Sequence, residues 1–253
     1  MKDHHEMMDF LKRAYTEVEK HASQLTINKN KPQHLFALAL YIKLFELTAS
    51  CLILIAFKVT TGLPILIRGV LEAYVDLINL CKDPTYINFM QASYFKEWLR
   101  ILNEAATSQN PNLRGTAQLK TLPYKIKFMQ TEREGLKQKG YKVLSVEDRF
   151  KKAEMGAEYR STYNILCCYS HNNMRSLVDV NTNADGEISL IISDKASSIK
   201  DIPYYVELLC DYFINASCQI HKFLDSSVYG EIVELKNEMY ELIAQARPEN
   251  RED

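Results

Sequence analysis

The sequence predicts an all-α fold, an up-down bundle of about seven to eight helices, on three observations. Hydrophobic residues make up 47% of the 253 residues, which is enough for a sizeable core. The chain contains 8 Gly and 7 Pro, fewer than a sandwich of short strands needs for its turns. Apolar residues recur at intervals of three and four along most of the chain, as on one face of a helix.

The first two helices are predicted at residues 7–25 and 35–59. The first has one apolar face. The second follows Pro32, a residue that favours a first helical turn, and is free of Gly and Pro, so we expect much of it to be buried. Its longest apolar stretch, residues 47–57, is eleven residues long and too short to span a bilayer. The sequence therefore predicts no membrane partner.

The third helix, residues 61–82, is expected to lie at the centre of the bundle. Pro64 fits its first turn, and the Asp83-Pro84 pair ends it. Nearly every position is apolar except one polar line, which consists of Arg68, Glu72 and Asn79 with Asp76 beside it. A helix that is apolar on most of its circumference is buried, and a buried charge without a partner costs several kcal/mol. We therefore expect Arg68 and Glu72 to meet polar groups inside the bundle.

A fourth helix is predicted at residues 86–106, and the chain then becomes basic and less regular over residues 113–152. Residues 120–152 contain ten Lys or Arg and four acids. A solvated helical face and a phosphate-binding surface both fit this composition. Three aromatic residues in it are candidates for stacking on bases, namely Tyr124, Phe128 and Tyr141. RNA is thus a candidate partner of the Lys-rich segment 120–152.

Three more helices and one β-hairpin are predicted in the remainder. The helices span residues 147–171, 201–224 and 228–246. Between the first and second of these helices, apolar and polar residues alternate in SLVDVNTNADGEISLII on both sides of an Asp185-Gly186 pair. This pattern predicts a small hairpin near residues 176–192.

Composition narrows the domain count and the class of site. The chain has no internal repeat and no Gly/Ser linker, so we expect one helical domain over residues 1–253, ending in a C-terminal helix and polar tail at 226–253. The formal net charge of −1 gives no global basic field. None of the six Cys forms a CxxC pair, and phosphate-cradling Gly loops and HExxH helices are absent from the sequence, so we expect no metal and no cofactor. The charged N-terminus argues against export and favours a cytoplasmic protein.

Two sets of polar residues are candidates for chemistry. Arg68 and Glu72 are four apart, so they either tie helices together as a buried pair or let Glu72 orient the guanidinium towards an anion. Arg160, Asn164 and His171 share a face of the 147–171 helix with Cys167 or Cys168, and Tyr163 and Ser170 share a neighbouring face. His171 falls where the helix gives way to a turn, so it is either an accessible imidazole or a capping residue.

The segments IRGVLEAYVDLINLCKDP, with Arg68 and Glu72, and YNILCCYSHNN, with Tyr163, Ser170 and His171, resemble a bacterial all-helical family known as domain of unknown function 5677. That family is similar to the HEPN (higher eukaryotes and prokaryotes nucleotide-binding) superfamily. The resemblance covers about residues 30–225 as a family-like core. It implies a bundle in which the Arg-x-x-x-Glu helix packs against the Ser-His helix end.

HEPN proteins are often metal-independent ribonucleases of toxin and antiviral systems, with an Arg shortly before a His at a dimer interface. The resemblance implies an endoribonuclease that works as a homodimer, with an antitoxin or regulatory protein as partner. In this chain Asn164, not Arg, stands seven residues before His171, and Arg160 is eleven residues before it, about 16 Å along a helix. A nuclease would therefore need Arg68 or the Arg of a second chain.

Two functions follow from these residues. In a nuclease, His171 is the general acid or base, Arg68 with Arg160 stabilises the phosphorane charge, and Glu72 orients the arginine. The candidate catalytic residues are Arg68, Glu72, His171, Arg160, Asn164, Tyr163 and Ser170. The alternative is a non-catalytic helical sensor or partner-binding protein, in which the same residues form a buried Arg-Glu-His polar network.

Overall fold

The computed structural model describes residues 2–59, 61–107, 109–171, 173–182 and 202–246, and these residues form helices and their connections. No strand occurs within these ranges, and the predicted all-α class is confirmed. Up to the basic segment the elements are α1 (Lys2–Ala22), α2 (Pro32–Ala56), α3 (Leu63–Lys82), α4 (Tyr86–Thr107), a 3₁₀ turn (Pro111–Leu113), α5 (Arg114–Ala117) and α6 (Leu122–Gln138). They are followed by α7 (Val146–Lys152), α8 (Gly156–Glu158), a π-helical turn (Tyr159–Tyr163), α9 (Asn164–Ser170), α10 (Met174–Asn181), α11 (Ile202–Phe223) and α12 (Tyr229–Ala246).

Helix α3 is the centre of the bundle, as predicted. It packs against α2, α4, α7, α9 and α11. Val70, Val75 and Leu80 are fully buried on different sides of the helix, because apolar residues cover most of its circumference. One helix can therefore contact five others, and its polar line is enclosed by some of them.

Helix α2 is less buried than the sequence predicts. Its buried residues form one narrow face towards α3 and α11, and they are Ala37, Tyr41, Leu44, Thr48 and Cys51. The Tyr41 and Ser217 hydroxyl oxygens lie 2.9 Å apart, which ties α2 to α11. The opposite face of α2 is exposed although it is apolar. Within the described chain, α2 is also the one helix whose length and composition would allow it to cross a membrane, a property that core helices of soluble proteins share.

The second half of α4 and the whole of α6 form an arm, which we define as residues 99–142. Helices α4 and α6 pack against each other through a small apolar cluster that is separate from the main core. This cluster contains Leu102, Ala105 and Leu122, with Leu113, Ile126 and Met129 around it. Where the arm meets the bundle, the Tyr141 ring packs edge-on against Phe89 with 5.1 Å between centroids.

Two predicted elements differ from the structure. The helix predicted at residues 147–171 is broken after Lys152, because Glu154 has a φ of +66°, and a π-helical turn follows α8. Residues 176–181 of the predicted hairpin belong to α10, so its first strand is wrong. The alternation in SLVDV is too short to distinguish a strand from a helix, and residues 183–192 of the hairpin lie outside the described residues.

Candidate functional site

The polar line of α3 is a continuous set of hydrogen bonds and ion pairs. The Arg68 Nε atom donates to Glu72 Oε1 at 3.0 Å, and the Tyr163 hydroxyl donates to the same oxygen at 3.1 Å. The Arg68 guanidinium lies over the Tyr163 ring, 5.9 Å from its centroid. The structure thus brings together three of the predicted site residues, and Glu72 is held by two donors.

Arg149 of α7 binds both acids of the polar line, Glu72 and Asp76. Its Nη1 atom lies 2.9 Å from Asp76 Oδ2, and its Nη2 atom lies 3.8 Å from Glu72 Oε2. The Tyr86 hydroxyl donates to the other Asp76 oxygen at 2.6 Å. Arg149 therefore bridges two carboxylates that stand one helical turn apart on α3.

The line continues to the end of α3 and fixes the backbone of α7. Asn79 Nδ2 donates to the Arg149 carbonyl oxygen at 2.9 Å. Lys82 Nζ lies 3.0 Å from a Glu154 carboxylate oxygen and 3.4 Å from the Ala153 carbonyl oxygen. We name this set the α3 ladder, and it consists of Arg68, Glu72, Asp76, Asn79 and Lys82 with their partners Tyr86, Arg149 and Tyr163.

Burial sets the protonation behaviour of the ladder. It is the largest influence on Asp76 and raises the pKa of that carboxyl above its usual value, although Arg149 and Tyr86 oppose it. Burial lowers the pKa of the Arg149 guanidinium, but the Asp76 carboxylate outweighs it and the net shift is upward. Burial and the adjacent Asp76 raise the pKa of Tyr86, so its hydroxyl remains a donor. Arg149 and Tyr86 are thus the groups that favour the Asp76 carboxylate against burial.

The other predicted site residues lie on the surface of the 156–171 segment. His171 directly follows α9 in an extended conformation and is exposed. Its imidazole has no hydrogen-bond or ion-pair partner among the described residues, so the predicted Arg-Glu-His network does not include it there. Arg160 and Asn164 are exposed too, and Ser170 Oγ donates to the Leu166 carbonyl oxygen at 3.1 Å. The structure does not join this group to the α3 ladder by a polar contact.

The sequence reasoning missed three residues of the ladder, Lys82, Tyr86 and Arg149, and Arg149 is the one that binds two carboxylates. It lies in the Lys-rich segment, where its charge is one of ten. A local signal does mark its helix, since Ser145 Oγ accepts a hydrogen bond from the Asp148 backbone and the Asp148 carboxylate accepts one from the Ser145 backbone. This capping box fixes the start of α7 but does not indicate which helix Arg149 faces.

The structure divides the predicted Lys-rich surface into two parts. Arg149 belongs to the ladder, Lys151 pairs with Glu147 at 2.7 Å, and Lys152 lies over the Phe89 ring. On the arm, by contrast, seven cations form no ion pair with any described residue, and they are Arg114, Lys120, Lys125, Lys127, Arg133, Lys139 and Lys142. Tyr124 and Phe128 are 74% and 50% exposed beside them, whereas Tyr141 is packed against the bundle.

The comparisons with known proteins identify a family. The model of a Family of unknown function (DUF5677) matches residues 34–188, more than half of the chain. The chain belongs to DUF5677. No curated protein and no solved structure matches it.

The DUF5677 region contains both features described above. It runs from α2 into the segment after α10 and so includes the α3 ladder and the arm, while α1, α11 and α12 lie outside it. Within the described part of the chain, no three His, Cys, Asp or Glu side chains are grouped so that they could hold a metal ion. The site features of this DUF5677 protein are therefore a paired ladder inside the bundle and unpaired cations on the arm.

Proposed function

We propose that the protein is a cytoplasmic, HEPN-like helical module that binds single-stranded RNA along its arm. The observation that carries the proposal is the set of seven cations on the arm that form no ion pair with any described residue, beside two exposed aromatic rings. Lysine and arginine neutralise phosphates and release counterions, and aromatic faces stack on unpaired bases.

The arm carries a net positive charge, whereas the rest of the chain carries a net negative charge. Residues 99–142 contain nine Lys or Arg and three acids, a net charge of +6, whereas the whole chain has −1. A local positive field of this kind attracts a polyanion to one element and repels it from the rest of the surface. Tyr124 and Phe128 are four residues apart, so their rings project from the same side of α6.

Binding is better supported than cleavage because the ladder residues are occupied by one another. Glu72 is bound by Arg68 Nε, by the Tyr163 hydroxyl and by Arg149, and the Arg68 guanidinium lies over the Tyr163 ring. His171 also lacks a described partner that would fix its tautomer and orientation. The ladder therefore supports the non-catalytic alternative, in which it holds α7 and the π-helical turn against α3.

Fluorescence anisotropy with a labelled single-stranded RNA at several salt concentrations tests the proposal. We expect Lys125→Glu/Lys127→Glu to weaken binding at least tenfold and to lower the salt slope by about 1.4, since each lost phosphate contact removes about 0.7 on single strands. Tyr124→Ala/Phe128→Ala should weaken binding with little change in the slope, because stacking releases no counterions.

Lys29→Glu/Lys31→Glu is the matched control, since both side chains are exposed on a connector away from the arm and the change in net charge is the same. This variant should bind as the parent does. If the two double variants lost the same RNA affinity, the effect would be one of net charge alone, and the arm would be rejected as the binding surface.

Cleavage of the bound RNA, as in a toxin or antiviral endoribonuclease, is the second candidate. The observation in its favour is the exposed His171 imidazole at the end of α9, with the exposed Arg160 on the same helical segment. Incubation of labelled RNA with the parent in EDTA, beside His171→Ala and Arg160→Ala, tests it. Products that disappear in His171→Ala would support an acid-base role for this residue. RNA that stays intact with the parent, while anisotropy shows it bound, would leave binding alone.

A further inference from the structure

The outer face of α2 is an apolar surface that the described chain leaves uncovered. Leu35, Ile42, Ile53 and Phe57 are 57%, 49%, 58% and 76% exposed. Together with Ala39 and Glu46 they recur at intervals of three, four and seven residues, which places them in one line along the helix. We name this line the α2 stripe, consisting of Leu35, Ala39, Ile42, Glu46, Ile53 and Phe57.

The α2 stripe cannot be covered by a rotation of its own helix. Leu44 and Cys51, on the opposite face, are fully buried, and the hydroxyl of Tyr41 is bound to Ser217 of α11. Turning α2 over would expose these residues and break that hydrogen bond. A contiguous exposed apolar surface on a fixed helix is typical of an interaction site.

Two charges at the middle of α2 indicate what kind of partner fits. Lys43 lies at the edge of the stripe and Glu46 lies in it, and both side chains are exposed. Although they are three residues apart, neither forms an ion pair with any described residue of its own chain. One cation and one anion beside each other are self-complementary when a helix meets an antiparallel copy of itself.

We propose that the α2 stripe is the interface with a second copy of this chain, in which the two α2 helices pack antiparallel about a twofold axis between residues 44 and 45. This register places Lys43 opposite Glu46 of the second copy and Phe36 opposite its Ile53. Each contact occurs twice because the interface is isologous. The proposal is independent of RNA binding, since the arm takes no part in it.

A second copy fits the stripe better than a lipid bilayer does. Glu46 stands in the stripe itself, where hydrocarbon would leave the carboxylate without a partner, whereas an antiparallel copy supplies a lysine. The anchored inner face of α2 also prevents the helix from leaving the bundle to cross a membrane.

Sedimentation equilibrium of the full chain tests the interface. We expect the parent to have about twice the 29.3 kDa mass of one chain, and Ile42→Glu and Ile53→Glu to be monomeric. Val178→Glu is the matched control, because Val178 is also exposed, at 52%, but lies on α10. It should remain dimeric, and circular dichroism should show the same helix content in all four proteins.

The charge pair allows a test that depends on register. Lys43→Glu and Glu46→Lys should each weaken the dimer at least tenfold, because like charges then meet across the axis. Mixing the two variants restores opposite charges at both positions, so we expect heterodimers by native mass spectrometry. The double variant Lys43→Glu/Glu46→Lys should dimerise with itself.

Three outcomes would overturn the proposal. The first is a parent that sediments as a monomer at its highest soluble concentration, and the second is a dimer that Ile53→Glu leaves intact. The third is a monomeric parent that floats with phosphatidylcholine vesicles while the Ile53→Glu variant does not. This result would assign the stripe to a membrane surface. A failure of RNA binding would leave all of these measurements unchanged.

Discussion

Arg149 determines how the α3 ladder behaves under mutation. Its guanidinium contacts both Glu72 and Asp76, and Asn79 binds its backbone carbonyl, so it joins α7 to three turns of α3. Asp76 depends on it more than Glu72 does, because Glu72 also accepts from Arg68 and Tyr163. The two arginines of the ladder therefore contribute unequally to stability, and Arg149 contributes more, although the sequence draws attention to Arg68 alone.

We predict that Arg149→Ala destabilises the protein far more than Arg68→Ala. Loss of Arg149 leaves the Asp76 carboxylate without its cation inside the bundle, which should cost about 3 to 5 kcal/mol in free energy of unfolding. Loss of Arg68 leaves Glu72 with Tyr163 and Arg149, so the cost should be about 1 kcal/mol. Urea unfolding followed by circular dichroism measures both.

Arg13→Ala serves as the control for that comparison. Arg13 pairs with Glu17 and Glu238 at the surface, where an ion pair contributes little, and its loss should be close to neutral. Equal losses in the Arg149 and Arg68 variants would contradict the unequal roles that the contacts indicate.

His221 provides a pH-dependent contribution to stability. It is fully buried, its Nδ1 atom lies 2.9 Å from Ser226 Oγ, and its Nε2 atom has no hydrogen-bond partner among the described residues. Burial, with a smaller effect of His21, lowers its pKa from 6.5 to about 4. Between these values the unfolded chain binds a proton at this residue and the folded chain does not, so stability rises with pH across the window.

We predict that His221→Leu removes this dependence. The parent should lose about 3 kcal/mol relative to the variant as the pH falls from 6.5 to 4, and the difference should be constant above pH 7. Urea unfolding of both proteins across this range gives the difference curve. A flat difference would mean that His221 is protonated in the folded protein at the same pH as in the unfolded chain.

At the scale of elements, the predictability of each helix follows from how local its signals are. The predicted bounds of α3 agree with the structure almost to the residue, because its signals are local: the apolar run and Pro64 lie within it and the Asp83-Pro84 pair directly follows it. The break after α7 was not predicted, since its left-handed residue is Glu154, a type that gives no turn signal. The spacing of residues before and after Glu154 is typical of one continuous helix.

The same reasoning applies to the candidate site. The polar line of α3 shows in the sequence because its members repeat at helical spacing. Its partner Arg149 does not, since it is 73 residues from Asp76 and is surrounded by lysines that face solvent. Pairing between distant helices leaves no periodic trace in a single sequence, and for that reason the sequence indicates Glu72 and Asp76 without the arginine that binds both.

We predict that the arm opens without the bundle. Its small cluster is separate from the main core, so Leu102→Ala, at a side chain that is 3% exposed, should destabilise the arm by about 2 kcal/mol. Hydrogen exchange measured by mass spectrometry should then become about 30-fold faster in α6, while peptides of α3 and α11 keep the parent rate. Uniform acceleration across all three helices would show that the arm and the bundle unfold together.

For the whole molecule, the main core holds two surfaces on different elements. The arm extends from α4 and α6, and the stripe lies on α2, whereas α3 and α11 join the helices between them. Neither surface contributes its exposed residues to the main core. The bundle should therefore tolerate the loss of one surface while the other keeps its properties.

Removal of the outer half of the arm tests this separation directly. We predict that a chain in which a short Gly/Ser linker replaces residues 104–127, the outer half of the arm, still unfolds cooperatively, because the deleted residues lie outside the main core and packed helices such as α4 and α6 have axes about 8–10 Å apart. Its melting temperature, followed by near-ultraviolet circular dichroism, should lie within a few degrees of the parent value. It should bind RNA at least tenfold more weakly, because Tyr124, Lys125 and Lys127 are among the deleted residues, and it should keep the parent sedimentation behaviour. Loss of cooperative unfolding would instead make the arm part of the folding core, and RNA binding equal to that of the parent would reject this half of the arm as the binding surface.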